Sequence, residues 1–309
     1  MTAPSYTPLT HRGVLAVGGA DRVAFLQGLL TNDVAKAGPG RALYAGFLTA
    51  QGKFLHDLFV AELGERLLLD CESARRAELR VRLLPYRLRA KVELAADDTL
   101  AVFALYGDGA LAALGLQDEP GRAQPLGGGV VFVDPRLIAA GARAILSKDE
   151  TATLEKAGFR PAPIETYERH RLTLGLAEGS RDLIVDKALI LENGFDEFNG
   201  VDWQKGCYVG QEVTARMKYR ALSKKRLLPV HLTGPVPAPG TPVLLHPAGG
   251  GKPEEAGEMR SATDGIGLAL LRLEAVEKAA SDPNAALKAG ETSIVPASFP
   301  ESPPDPAIR

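Results

Sequence analysis

Apolar positions fall in two patterns along this chain, short unbroken runs and stripes at helical spacing. Residues 13–17 (GVLAV) form the first run and predict a strand. Asp21 follows, placed to cap a helix in which Val23, Leu26 and Leu30 recur at helical spacing and Phe25 and Leu29 widen the stripe. Thr31-Asn32-Asp33 breaks the pattern. Residues 44–49 and 54–60 read as strands joined through Gln51-Gly52-Lys53, a hairpin. Ser73 is placed to cap a second helix, and Pro85, which lacks the N–H of the next turn, to end it. Residues 91–105 predict one or two strands. Gly127-Gly128-Gly129 opens an apolar run at 130–133, and Asp134-Pro135-Arg136 closes it.

Residues 167–176 have helix character and stop near Gly175. The stretch 177–204 is irregular, with turns at Gly179, Gly194 and Gly200. A helix is expected from near Gly210 to about Lys218, with Glu212 and Arg216 as an i,i+4 pair in the favourable order. After Leu228 the texture changes. Prolines and glycines crowd 234–253, and short apolar runs at 243–245, 266–271 and 293–295 alternate with turns. That spacing predicts a small all-β module, a barrel. The expected division is an α+β region at 1–225, with an inner module at about 60–150, and a C-terminal β-barrel at 226–309 that ends in a loose tail, PESPPDPAIR.

Bulk numbers narrow the class. A chain of 309 residues, 45% hydrophobic and 24% charged, is an ordinary globular protein with core enough to fold without staples. The formal net charge of −2 confines any basic surface to local stretches, and no direct nucleic-acid partner is expected. Two such stretches exist. One carries Arg75, Arg76, Arg80, Arg82, Arg87, Arg89 and Lys91; the other is residues 218–226. Each reads as a solvated face or as a surface for an anionic ligand or partner. The amino-terminal stretch shows no charged region followed by an apolar one, and no apolar run approaches the ~18 residues of a membrane span. With only Cys71 and Cys207, the expectation is a cytoplasmic protein with free thiols and no membrane partner.

Chemistry concentrates at residues 205–212, KGCYVGQE. The thiolate is the reactive form of cysteine, and a helix N-terminus and nearby cations stabilise it. Cys207 stands just ahead of the expected helix, with Lys205 two residues away to lower its pKa. Gly206 and Gly210 permit close backbone approach or φ > 0. Gln211 and Glu212 bring an amide and a carboxylate to the helix start. The residues alone leave two readings open: an active thiol, or a small buried cysteine in a tight turn. Cys71, in LLLDC, reads as core. The five histidines (His11, His56, His170, His231, His246) show no metal-ligand spacing, so no metal site is expected.

KGCYVGQE resembles the signature of the YgfZ-type folate-binding proteins. Phe25-Leu26-Gln27-Gly28, Leu30-Thr31-Asn32-Asp33-Val34, Thr49-Ala50-Gln51-Gly52-Lys53, Asp134-Pro135-Arg136 and Gly267-Leu268-Ala269-Leu270-Leu271-Arg272 resemble other elements of that family, so the likeness spans most of residues 10–275. It implies an α+β fold, a three-part ring shared with the T-protein of the glycine cleavage system, followed by a β-barrel. It also implies a tetrahydrofolate-binding accessory protein for assembly or repair of 4Fe–4S iron–sulfur proteins, whose loss shows indirectly in tRNA modification. Its partners would be the folate and iron–sulfur assembly or client proteins.

Cys207 and Lys205 are then the expected active pair. Gly206, Tyr208, Gly210, Gln211, Glu212, Asp57 and Arg216 are the expected tetrahydrofolate contacts. A pterin needs flat apolar walls and a few aimed polar groups, and Phe47, Phe54, Phe59, Trp203 and Tyr208 are candidates for the walls. T-proteins carry adjacent carboxylates where this chain reads His56-Asp57, so a group titrating near neutrality would replace one of them. T-proteins also lack the KGC signature. Two other functions remain open: a folate-dependent aminomethyltransferase or demethylase, and a scaffold without folate chemistry. Gly127-Gly128-Gly129 lacks the dinucleotide form GxGxxG that a flavin-fused demethylase would carry.

Overall fold

The computed structural model describes residues 3–220, 222–249 and 251–297. Its strands form two open sheets and a closed barrel. The first sheet has the spatial order Leu43–Leu48, Phe54–Leu63, Arg66–Glu72, Arg12–Gly18, Glu93–Asp97, antiparallel throughout. Apart from the edge strand Glu93–Asp97, these strands are largely apolar runs because both faces are covered. Leu15, Phe47, Val60 and Leu69 meet the helices Arg22–Gln27 and Arg76–Arg87 on one face. Val14, Tyr44, Phe59 and Leu68 point the other way, into the core shared with the rest of the molecule.

The second sheet runs Arg160–Pro161, Ser5–Pro8, Leu100–Tyr106, Ala142–Ser147, Gly129–Val133, Ala123–Leu126. The expected strands at 91–105 therefore separate: Glu93–Asp97 joins the first sheet and Leu100–Tyr106 the second. The stretch 60–150 feeds both sheets, and the second also takes strands from the chain's start and from Arg160–Pro161. The barrel closes in the order Lys225–Thr233, Ile266–Arg272, Glu254–Thr263, Pro242–His246, Ala286–Ala289, Thr292–Pro296. Val230, Val243, Met259 and Leu271 fill it. The expected tail, PESPPDPAIR, lies outside the described residues. Among the described residues no helix is long and apolar enough to cross a membrane.

Several helix signals resolve differently. Pro85 lies inside Arg76–Arg87 and does not end it. Its position is exposed, so water can meet the carbonyl that loses its donor. Ser73 opens a 3₁₀ turn, Ser73–Arg75, and makes no side-chain cap bond to the helix that follows. Asp21 occupies the N-cap position of Arg22–Gln27, yet its carboxylate accepts from the Lys91 N–H at 2.7 Å. The helix expected at 167–176 is Ile164–Thr173; it starts directly after Pro163, whose fixed φ suits a helix entry.

Candidate functional site

The signature loop is pinned at several points and bare between two of them. Lys205 is only 9% exposed, and its ammonium donates to the carbonyls of Gln27 (2.8 Å), Leu30 (2.6 Å) and Asn32 (2.8 Å). These lie at and just beyond the end of the helix Arg22–Gln27, where carbonyls lack intrahelical donors. A cation at that end also complements the helix dipole. Burial draws the Lys205 pKa down to about 8, against the pull of Asp33 and Asp202. The Lys205 ammonium is thus held by three backbone carbonyls and anchors the loop.

Gly210 has φ +84°, and a Cβ there would stand 2.5 Å from the Thr49 carbonyl oxygen and 3.0 Å from Gly52 Cα. Gly52 has φ +73°, and its Cβ would lie 2.9 Å from Val213. The hairpin turn and the signature loop therefore meet backbone to backbone, and the glycines of the two motifs explain each other. Val209 donates its N–H to the Gly28 carbonyl at 3.1 Å and packs on the helix-covered face of the first sheet. Tyr208 is buried beneath the Lys205 ammonium, which lies 5.2 Å from its ring, and burial pushes its phenol up to about 12. Gly206 has no atom within 4 Å of where a Cβ would sit, and Cys207 is exposed. The thiol is thus presented on a fixed loop with open space beside it.

Cys71 is the opposite case. It is fully buried, contacts the Gly13 carbonyl, and burial raises its thiol to about 12.

The remaining expected contacts do not converge on the loop. Glu212 and Arg216 pair at 2.6 Å on the exposed side of the helix Gln211–Tyr219, and Gln211 is half-buried at its start. Asp57 is buried and faces the guanidinium of Arg12 at 3.0 Å. It belongs to a charged seam where the two sheets and the barrel meet. There Arg12 also binds Asp70 (2.6 Å), Arg143 binds Asp70 (2.7 Å), Arg136 binds Asp134 (2.8 Å) and Arg171 binds Asp182 (2.8 Å). Asp182 in turn accepts the Ser261 N–H of a barrel strand at 3.0 Å. Three guanidiniums, those of Arg12, Arg136 and Arg143, lie over the Phe59 ring. Burial would raise the Glu178 carboxyl, but the His11 contact and the charges of Arg171 and Arg143 hold it well below the usual range.

Sequence reasoning missed this seam. The available signal was a lone charge inside an apolar run, as with Asp70 in LLLDC and Arg143 in ARAIL. His56 also departs from expectation. Burial, reinforced by Arg75, lowers it to about 3, so it stays neutral where a near-neutral titration was expected.

Comparison with known proteins places the chain. Residues 6–117 match the GCVT N-terminal domain, and residues 224–304 match the CAF17 C-terminal beta-barrel domain. The human mitochondrial iron–sulfur cluster assembly factor IBA57 is 36% identical over 288 residues, covering 87% of this chain and 78% of the relative. The IBA57 homolog of Mycosarcoma maydis is 33% identical over 332 residues, covering 93% and 79%. The chain belongs to the family of IBA57 iron–sulfur cluster assembly factors.

Its fold is that of the aminomethyltransferases. The glycine cleavage system aminomethyltransferase T from Bartonella henselae superposes with a TM-score of 0.73 at 17% identity, over 96% of this chain and 85% of that one. The three-part α+β architecture with a closed six-stranded barrel thus holds.

Some of the residues expected to hold a folate are taken up by the fold itself. Phe47, Phe54 and Phe59 are fully buried against other core groups, and the Asp57 carboxylate is engaged by Arg12. A cavity of about 920 Å³ opens elsewhere, among Tyr106, Ile138, Arg169 and His170, and one of about 130 Å³ lies near Asp196, Lys218 and Arg226. Neither is lined by any of the expected folate contacts. Among the described residues no group of three His, Cys, Asp or Glu side chains could hold a metal ion.

Proposed function

We propose that this protein assists the assembly of iron–sulfur clusters by presenting the Cys207 thiol to a cluster or its iron while a second protein carries the rest of it. The observation that carries the reading is the contrast within KGCYVGQE. Lys205, Tyr208, Val209 and Gly210 are held by the body of the fold, and Gly206-Cys207 between them is left in the open. One thiol supplies one ligand, whereas iron–sulfur clusters are typically held by four cysteines, so the others belong to the carrier or client. Family membership supports the process. The finer YgfZ-type expectation, a tetrahydrofolate carrier, finds less support, because Asp57 and the buried phenylalanines are engaged elsewhere.

Two measurements test the reading. In the folded protein an alkylating probe should label Cys207 at least about 100-fold faster than Cys71, because the latter is buried and held protonated. In a strain lacking the gene, a 4Fe–4S enzyme should regain activity with wild type and with Cys71→Ala, but not with Cys207→Ser. Full rescue by Cys207→Ser removes the thiol from the mechanism. Tetrahydrofolate titrated calorimetrically into the wild type should release no binding heat, and a saturable site would restore the folate reading.

A further inference from the structure

The first basic stretch of the sequence divides in the structure. Arg75 donates to the Leu55 carbonyl and to Glu78, Arg76 to the Val14 carbonyl and Asp98, Arg80 to the Leu94 carbonyl, and Arg82 to Glu78. Arg75, Arg76 and Arg80 fasten the helix Arg76–Arg87 to its sheet, and Arg82 pairs within the helix. Arg87, Arg89 and Lys91 are exposed, and their side chains have no hydrogen bond or ion pair among the described residues.

The same helix carries two apolar faces. Leu79 and Leu83 are buried against the sheet. On the opposite side Val81, Leu84 and Pro85 follow at i, i+3 and i+4 and are turned to solvent, and Leu88, the residue that ends the helix, is exposed just beyond them. Val81 is 62% exposed and Leu88 89%. Leu88 also has φ +42°, a region a leucine rarely occupies, and strain of this kind tends to persist where the surroundings put it to use. A polar face would suffice if this side of the helix met only water.

We propose that this stripe docks the acidic iron–sulfur protein whose cluster Cys207 serves. The inference rests on the reading of Cys207 given above. Position supports it: the helix covers the same side of the first sheet on which Val209, two residues past Cys207, is packed. Chemistry supports it too. Protein interfaces combine an apolar centre with arginine-rich, charge-complementary margins, and three unpaired cations beside an aliphatic stripe call for an acidic partner. Single-stranded RNA would be met by several exposed rings on which successive bases stack, whereas the patch offers one, Tyr86, 43% exposed and set edge-on against Phe47, among aliphatic side chains. An anionic bilayer matches the charge and is the principal competing outcome.

The test places a photo-crosslinking benzophenone amino acid at position 88 of the full chain, in cells lacking their own copy of the gene. Adducts are identified by mass spectrometry. The expected adduct is an acidic protein with cluster-ligating cysteines. Its yield should fall at least tenfold in R87E/R89E, and also when the probe is moved to position 81 in that background. Thermal midpoints should match wild type, since these side chains are exposed and unpaired. Cys207→Ser should leave the adduct intact. Adducts to phospholipid or RNA, to a protein without cluster ligands, or at a yield indifferent to the charge reversal overturn the proposal, as does the absence of any adduct. If Cys207→Ser still restores cluster enzymes while the adduct persists, the thiol reading falls and the docking surface stands.

Discussion

His56 shows how far burial moves a single residue from its ordinary chemistry. It lies 2% exposed on Phe54–Leu63, stacked 6.4 Å from Phe47, with neither ring nitrogen bonded. The unfolded chain takes up this proton near pH 6.5; the fold resists until about 3. The unfolded state therefore binds more protons across that window. Stability is complete above 6.5 and is lost as pH falls, by about 1.4 kcal/mol per pH unit. His56→Phe should abolish this acid-sensitive limb and be at least as stable at pH 7, because two buried unpartnered nitrogens are removed. Urea denaturation at pH 7, 5.5 and 4 reads the difference, and parallel losses in both proteins would remove His56 as the cause. Lys205 makes the complementary case. Lys205→Met strips a donor from three carbonyls and should lower stability by roughly 1–3 kcal/mol; a lysine present only to tune Cys207 would leave the urea midpoint where it was. For both residues the sequence displayed the chemical type. It did not display the surroundings, because FLHDLFV and QKGCY carry no alternation that separates inside from outside.

Elements whose own residues carry a period were legible: the hairpin at Gly52, the strand at 13–17 and the barrel strands all appear near their expected places. Contacts between elements were not, because their cause lies on another part of the chain. Gly210 is the clearest instance. Its left-handed φ and its approach to Thr49 depend on a turn far away in sequence. The two signature glycines should accordingly behave differently. Gly210→Ala meets φ +84° and a carbonyl oxygen 2.5 Å away, and should lose about 1–3 kcal/mol from the backbone strain, with the steric displacement added. Gly206→Ala meets open space and has no positive φ, so its thermal midpoint should stay within a degree or two of wild type. Equal midpoints for the two variants would mean that the loop is not seated on the hairpin turn as described.

At the scale of the molecule, the three parts are joined as much by charge as by apolar packing. The barrel was foreseeable from its proline-rich, short-strand texture, but the seam was not: Arg12 and Asp57 lie 45 residues apart, and neither neighbourhood marks the other as a partner. A buried guanidinium shared by two carboxylates is held by mutual compensation. Arg12→Met would leave Asp57 and Asp70 desolvated, with only Asp70 retaining a cation, Arg143. The expected loss is about 3–5 kcal/mol, the range for breaking one side of a buried pair. Arg12→Met combined with Asp57→Leu removes the stranded charge as well and should recover part of that loss, since apolar replacements of whole buried pairs are often neutral. Urea denaturation of the two variants beside wild type decides the matter. A double variant less stable than Arg12→Met would show that Asp57 has a second partner in the seam, and would reopen the question of what else its carboxylate holds.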